Sequence, residues 1–181
     1  KMLFGNKNEF AIELENVDTT ERYMLMKLYI QNVNILEYSF DGKVYSLTGN
    51  IDELILYLDE TINPTLMEIP FPFNVKGDSA IELDINARDY DSNNEDEFDA
   101  YYTQLNDWAF SHSWTHARDG LYIPDVMYRK INDTMEISWC GVGIYDGVEF
   151  SSPKGSYLIN FNLYCSIINK VTKYYKENWL K

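Results

Sequence analysis

The spacing of apolar side chains along the chain changes near residue 50. Before it, residues 9–15 and 24–31 alternate apolar and polar positions, which is typical of half-buried strands. Asp41-Gly42 separates two short β-type segments, residues 35–40 and 43–47, and is typical of a two-residue hairpin turn. The first third of the chain is therefore predicted to consist of strands.

A helical pattern follows over residues 50–62. Ile51, Leu54, Ile55, Leu58 and Ile62 form one apolar stripe. Asn50, with a glutamate three residues later, is typical of a capped helix start, and Asn63-Pro64 is expected to end the helix. Four carboxylates lie off the stripe and predict an acidic outer face: Asp52, Glu53, Asp59 and Glu60.

The rest of the chain is predicted to add strands and two more helices. Residues 80–86 alternate again and are interpreted as a strand, with Ile81, Leu83 and Ile85 inward. The later predicted elements are a helix over residues 94–112, a hairpin of residues 126–131 and 134–139, a strand over 155–159 and a helix over 162–178. The sum is an α+β fold, an antiparallel sheet of roughly six to eight strands packed by about three helices.

Length and composition favour a single folded domain over residues 2–181. The chain has 181 residues, 45% of them apolar and 15% aromatic, which is too rich for a disordered chain. No apolar run reaches the roughly 18–20 residues that a membrane helix needs. The sequence shows no signal-peptide pattern, and Cys140 and Cys165 are expected to be reduced thiols, so we expect a cytoplasmic protein.

The negative charge is concentrated in one part of the chain. Residues 50–99 hold fourteen Asp and Glu against Lys76 and Arg88, a net charge of −12 out of −14 for the whole chain. A field of one sign speeds association with a partner of the opposite sign and repels partners of its own sign. Nucleic acid and anionic lipid are therefore poor candidate partners, whereas a basic protein is a good one.

The densest acidic segment is residues 89–99, and it has three interpretations. It carries six carboxylates, Asp89, Asp91, Glu95, Asp96, Glu97 and Asp99. A solvated loop and an electrostatic contact surface both remain open. A calcium-binding EF-hand does not fit, because its sixth position is Asn94 instead of glycine and its twelfth is Ala100 instead of glutamate.

Residues 111–116 are the one candidate for chemistry. The i, i+4 spacing of His112 and His116 would place both rings on one helix face, where they could bind a metal with a third ligand from Asp107, Asp119 or Asp125. The glutamate of a zinc hydrolase motif is absent, since Ser113 follows His112. We therefore expect no cofactor, no metal and no catalytic activity. A metal-assisted hydrolase that uses His112 and His116 is kept as the alternative function.

Two blocks of the chain are similar to known sequences. Met2-Leu3-Phe4-Gly5 and Glu9-Phe10-Ala11-Ile12-Glu13 resemble the start of the immunity protein 42 family of bacterial polymorphic toxin systems. The second block resembles small proteins of bacterial conflict systems, through His112-Ser113-Trp114, Ala117-Arg118-Asp119-Gly120, Pro124-Asp125-Val126, Arg129 and Glu136-Ile137-Ser138-Trp139. The resemblance implies a cytoplasmic protein that binds and neutralises a cognate toxin domain, and it carries over no catalytic residue.

The charge and the resemblance together predict the kind of partner. Many such toxins are nucleases, which are basic because they hold phosphate. An acidic immunity protein can occupy such a site, with aromatic side chains adding short-range energy. The predicted contact residues are the six carboxylates of residues 89–99 and the four of residues 52–60.

Overall fold

The computed structural model describes residues 1–18, 20 and 22–180. Its strands are Met2–Asn6 (β1), Phe10–Asp18 (β2), Tyr23–Ile30 (β3), Val33–Asn34 (β4), Glu37–Phe40 (β5), Lys43–Ser46 (β6), Thr48–Gly49 (β7), Asp125–Ile131 (β8), Thr134–Cys140 (β9), Val148–Phe150 (β10) and Lys154–Asn160 (β11). Its helices are Asp52–Glu60 (α1), Pro64–Met67 (α2), Ala80–Ala87 (α3), Glu95–His112 (α4) and Phe161–Asn178 (α5), with a 3₁₀ turn at Trp114–Ala117.

The strands form three antiparallel sheets. The largest has the order β1-β2-β3-β4, with β7 also pairing β3, and the two smaller sheets have the orders β10-β5-β6 and β11-β9-β8. The predicted α+β class is confirmed. The described residues contain more elements than the sequence pattern predicts, because two-residue strands such as β4 and β7 are too short to show a period.

The main core lies between the large sheet, α1, α5 and one face of the β8–β9 hairpin. The alternating residues of β2 and β3 point into it, including Phe10, Ile12, Met24 and Met26. The apolar stripe of α1 meets that of α5 across the same core. Burying each such side chain stabilises the fold by about 1.5–3 kcal/mol before the cost of ordering it.

Strand β9 is buried on both of its faces. Met135, Ile137 and Trp139 face the main core, as the alternation predicts. Glu136 and Ser138 point to the other face and are also buried, because α3 covers them. A second, smaller core forms there from Ala80, Ile81, Trp108, Ala109 and Met127.

The strand predicted over residues 80–86 is wrong, because this segment is helix α3. The Ser79 side chain accepts a hydrogen bond from the Glu82 N–H at the helix start. Ile81 and Leu83 are buried, whereas Ile85, which the strand pattern placed inward, is exposed. Asp84 is buried beside Arg88, one turn further along the same helix.

The two hairpins and the long helices are confirmed. Asp41 and Gly42 both have positive φ angles, 49° and 71°, as a tight two-residue hairpin requires. Helix α4 begins after Asn94, whose side chain accepts hydrogen bonds from the N–H groups of Asp96 and Glu97. Within the described part of the chain, no helix is both long and apolar enough to span a membrane.

Candidate protein-binding surface

All six carboxylates of residues 89–99 are exposed. Asp89 and Asp91 lie in the loop between α3 and α4, and the other four lie in the first two turns of α4. Among the described residues, none of the six forms an ion pair with a lysine, arginine or histidine. Their charge therefore faces solvent and is available to a partner.

Two tyrosine hydroxyls of α4 fix the acidic loop. Tyr101 Oη donates to the backbone carbonyl of Ala87 at 2.9 Å. Tyr102 Oη lies 2.7 Å from the carbonyl of Arg88 and 3.0 Å from that of Tyr90. The loop thus has a defined conformation in the isolated chain. The entropic cost of ordering it when a partner binds is therefore small.

An aromatic stack supports the same loop from below. The Tyr101 ring lies between those of Phe73 and Tyr90, with centroid distances of 3.9 Å on both sides. Burial and the neighbouring Tyr90 and Tyr102 raise the pKa of Tyr101, so its hydroxyl keeps the proton that it donates. The acidic loop therefore packs against a stack of three aromatic rings.

Four residues form an exposed stripe along α4. Glu95, Asp99, Asn106 and Phe110 lie on one side of the helix, because their spacings of four, seven and four residues are close to whole turns. The buried residues of this helix, including Leu105 and Trp108, lie on the side that faces the protein interior. Phe110 is 65% exposed.

The four carboxylates of α1 do not share one environment. Glu53 and Glu60 are exposed, as predicted for an outer face. Asp52 accepts a 2.7 Å hydrogen bond from the Tyr175 hydroxyl, and Asp59 pairs with Lys176. Two of the four predicted contact residues therefore hold α1 against α5.

The prediction that His112 and His116 share a helix face is wrong. Helix α4 ends at His112, Ser113 is extended, and His116 belongs to the following 3₁₀ turn. The His112 ring is buried and stacks on Trp108, whereas the His116 ring is exposed and stacks on Phe110. In the part of the chain that the structure describes, no three His, Cys, Asp or Glu side chains are grouped as metal ligands would be.

His112 has the environment of an interior residue. Its Nδ1 lies 2.9 Å from the Trp108 carbonyl and 2.8 Å from Ser111 Oγ. Burial lowers the pKa of His112 below its usual value, and the positive charge of Arg129 also lowers it. The hydrogen bond to the Trp108 carbonyl raises the pKa, but this effect is smaller than that of burial. The ring is therefore neutral at pH 7.

A groove of about 400 Å³ lies beside the α4 stripe, between α3, α4, the 3₁₀ turn and β8. Its floor is apolar and comes from the second core, through Ile81, Ala109 and Met127. Its walls carry Asp84, Arg88, Asn106, Phe110, His116 and Asp125. Nothing in the sequence pattern marks this groove, because its lining comes from four separate elements.

A second exposed aromatic surface lies on the small sheet β10-β5-β6. Phe40 and Tyr122 stack with a centroid distance of 6.3 Å, and Tyr38 and Tyr45 stack at 5.6 Å. Phe40, Tyr45 and Tyr122 are each about 40% exposed. Trp114 is not part of any such surface, because it is fully buried and donates its indole N–H to the Pro124 carbonyl.

Comparison with known proteins gives one fold match. CdiI from Burkholderia dolosa AUO158 has a similar fold. The TM-score is 0.53 with 14% sequence identity, over 96% of this chain and 99% of the CdiI chain. No family model matches the chain, and no curated protein has significant sequence similarity to it, so the resemblance to immunity protein 42 stays a prediction.

The similarity to CdiI covers both cores described above. At 96% coverage of this chain, it includes the large sheet, the β8–β9 hairpin and the segment with α3 and α4.

Proposed function

We propose that this protein is a cytoplasmic immunity protein that binds and neutralises a cognate bacterial toxin domain. The observation that carries the proposal is the fold similarity to CdiI over almost the full length of both chains. CdiI is an immunity protein of contact-dependent inhibition. The two cysteines are free thiols, which agrees with a reducing compartment.

The second block of residues that resembles bacterial conflict-system proteins has structural roles in this fold. Trp114 is buried in the main core, and Glu136 and Ser138 bond the start of α3. Arg129 pairs with Glu136. These roles are structural, so the similarity of this block agrees with a shared architecture and not with a shared catalytic site.

The acidic surface supports a basic toxin as the partner. Exposed carboxylates on α4 attract a cationic surface from a distance, which raises the association rate. A nuclease domain is a suitable partner, because its phosphate-binding site is basic. An immunity protein that covers this site would exclude the nucleic acid without any chemistry of its own.

The metal-assisted hydrolase has little geometric support. His112 is neutral but buried against Trp108, whereas His116 lies on a separate turn. Elemental analysis of the purified protein tests this alternative: we expect less than stoichiometric zinc. One zinc per chain, lost on His112→Ala, would favour the hydrolase.

Co-expression tests the proposed function directly. The probe is the C-terminal domain of any large secreted protein that a neighbouring gene encodes. We expect this domain to stop growth when expressed alone, and growth to return when the present chain is co-expressed and copurifies with it. A toxin domain from an unrelated system is the control and should remain toxic. Toxicity that persists despite soluble co-expression would contradict the proposal.

A further inference from the structure

The groove beside α4 combines an apolar floor with polar walls. Ile81, Ala109 and Met127 form its floor and are each more than 90% buried in the isolated chain. Its volume of about 400 Å³ is sufficient for one long side chain. A side chain with an apolar stem and a polar end matches this arrangement better than a wholly apolar one.

Arg88, which lines the groove, and Arg118, which contacts the groove residue Asp125, are already paired. Arg88 donates from Nε and Nη2 to both oxygens of Asp84, at 2.8 and 2.9 Å, and from Nη1 to Asn106. Arg118 pairs with Asp125. Each guanidinium is therefore neutralised by its own carboxylate partner. Neither guanidinium neutralises the exposed carboxylates of α4.

Asp125 keeps one carboxylate oxygen available. Thr115 Oγ1 and Arg118 both donate to Oδ1 of Asp125. Among the described residues, no hydrogen bond falls on Oδ2. Since the carboxylate lines the groove and its side chain is 29% exposed, Oδ2 can accept a hydrogen bond from a group that enters.

Phe110 provides an aromatic face at the edge of the groove. Its ring stacks on His116 with a centroid distance of 4.3 Å and an interplanar angle of 22°, which limits its rotation. Covering a phenyl ring of this exposure is favourable, and the face of the ring attracts a cation.

We propose that this groove is the anchor pocket for one arginine or lysine side chain of the basic partner. The inference rests on the proposed function. The methylene stem would cover Ile81 and Met127, the cation would lie against the Phe110 ring, and Asp125 Oδ2 would accept its hydrogen bond. The pocket would fix the position of the bound partner, whereas the carboxylates of residues 89–99 would raise its association rate.

The distance between the pocket and the acidic segment allows one partner to cover both. Glu95 and Phe110 are fifteen residues apart on the same helix, about 22 Å at 1.5 Å per residue. A standard interface covers roughly 800 Å² on each partner, which is wide enough for this span. A basic surface that meets the acidic end of α4 can therefore place a side chain in the groove.

The first experiment needs only the present chain. N-acetyl-arginine methylamide is titrated into the labelled protein, and amide shifts are followed by two-dimensional NMR. We expect saturable shifts at Asn106, Phe110 and Thr115, at least tenfold weaker binding of the isosteric neutral N-acetyl-citrulline methylamide, and loss of the shifts in Phe110→Ala. Equal shifts from both compounds, or preferential binding of inorganic phosphate at these residues, would overturn the proposal.

The second experiment uses the toxin domain from the co-expression test. Phe110→Ala should raise the dissociation constant about tenfold, mainly through faster dissociation, and Phe110→Tyr should restore it. Val44→Ala removes a similarly exposed apolar side chain from β6, which does not line the groove, and is the matched control. If Phe110→Ala leaves the dissociation rate unchanged while the parent neutralises the toxin, the pocket is refuted and the immunity function stands. If the parent does not neutralise the toxin, the NMR titration decides the pocket alone.

Discussion

Glu136 on β9 caps a helix that begins with Ala80, 56 residues earlier in the chain. Its Oε1 accepts a 2.6 Å hydrogen bond from the Ala80 N–H, while its Oε2 accepts from Nε and Nη2 of Arg129 at 2.9 and 2.7 Å. The carboxylate is only 3% exposed. One buried side chain therefore joins the strand, its ion-pair partner and the start of α3.

Replacing Glu136 should destabilise the fold strongly. Glu136→Leu leaves Arg129 without its carboxylate and an N–H of α3 without its acceptor, and breaking a buried pair in this way costs about 3–5 kcal/mol. Urea denaturation measures the free energy of unfolding. Glu149→Leu, an exposed glutamate on β10, is the control and should change it by about 0.5 kcal/mol or less. A Glu136→Leu protein as stable as the parent would show that the capping contact contributes little.

His112 should make stability depend on pH in the weakly acidic range. Burial lowers its pKa below the usual 6.5, so above this pH the ring is neutral in both folded and unfolded chains. As the pH falls below 6.5, the unfolded chain takes up a proton that the folded chain refuses, and the free energy of unfolding should fall by up to about 1.4 kcal/mol per pH unit. Denaturation curves between pH 7 and pH 5.5 measure this slope.

The matched variants separate His112 from other titrating groups. His112→Phe keeps an aromatic ring against Trp108 and should flatten the slope, even if it lowers the overall stability. Val44→Ala removes an exposed apolar side chain and no titratable group, so it should leave the slope unchanged. An equally steep slope in His112→Phe would mean that other groups cause it.

The carboxylates of α1 should differ in their effect on stability. Asp52→Ala leaves the buried Tyr175 hydroxyl without its acceptor, which should cost about 1–3 kcal/mol. Glu53→Ala, one residue further along the same helix turn, should cost about 0.5 kcal/mol or less. Thermal or urea melts of the two variants measure the difference, and equal effects would show that the contact with α5 is not important.

Neutralising the acidic segment should slow association with the toxin domain. Asn and Gln at the six carboxylates of residues 89–99 remove the exposed charge without changing the tyrosine contacts beneath it. The association rate should fall, and its dependence on salt should weaken, because exposed charges are screened beyond about 8–10 Å at physiological ionic strength. Stopped-flow mixing at several salt concentrations measures both quantities. Unchanged rates at low salt would identify the acid as a solubility device and favour the aromatic surface around Phe40 and Tyr122.

The sequence predicts long periodic elements well and the short segment at α3 badly. Residues 94–112 and 162–178 show several helical turns, so their period is unambiguous. In residues 80–86, Ile81, Leu83 and Ile85 alternate within a window too short to distinguish a strand from a helix. A helix signal was present in Ser79 and Glu82, which have the spacing of a capping box.

The candidate surface is predictable only in part, for a related reason. Charge and exposure are properties of single residues, so the acids of residues 89–99 are evident from the sequence. The groove beside α4 needs α3, which the pattern misassigns, to pack against β9 through Glu136 and Ser138. Asp52 and Asp59 likewise look like surface acids until their contacts with Tyr175 and Lys176 are known.

The tyrosine anchors of the acidic loop bond only to backbone carbonyls, those of Ala87, Arg88 and Tyr90. A carbonyl is the same whatever side chain its residue carries. The tyrosine contacts are therefore independent of the charge of this region, and asparagine and glutamine at the six acidic positions would leave them in place. The charge of this surface can therefore be changed by substitution while the two tyrosines hold the backbone beneath it.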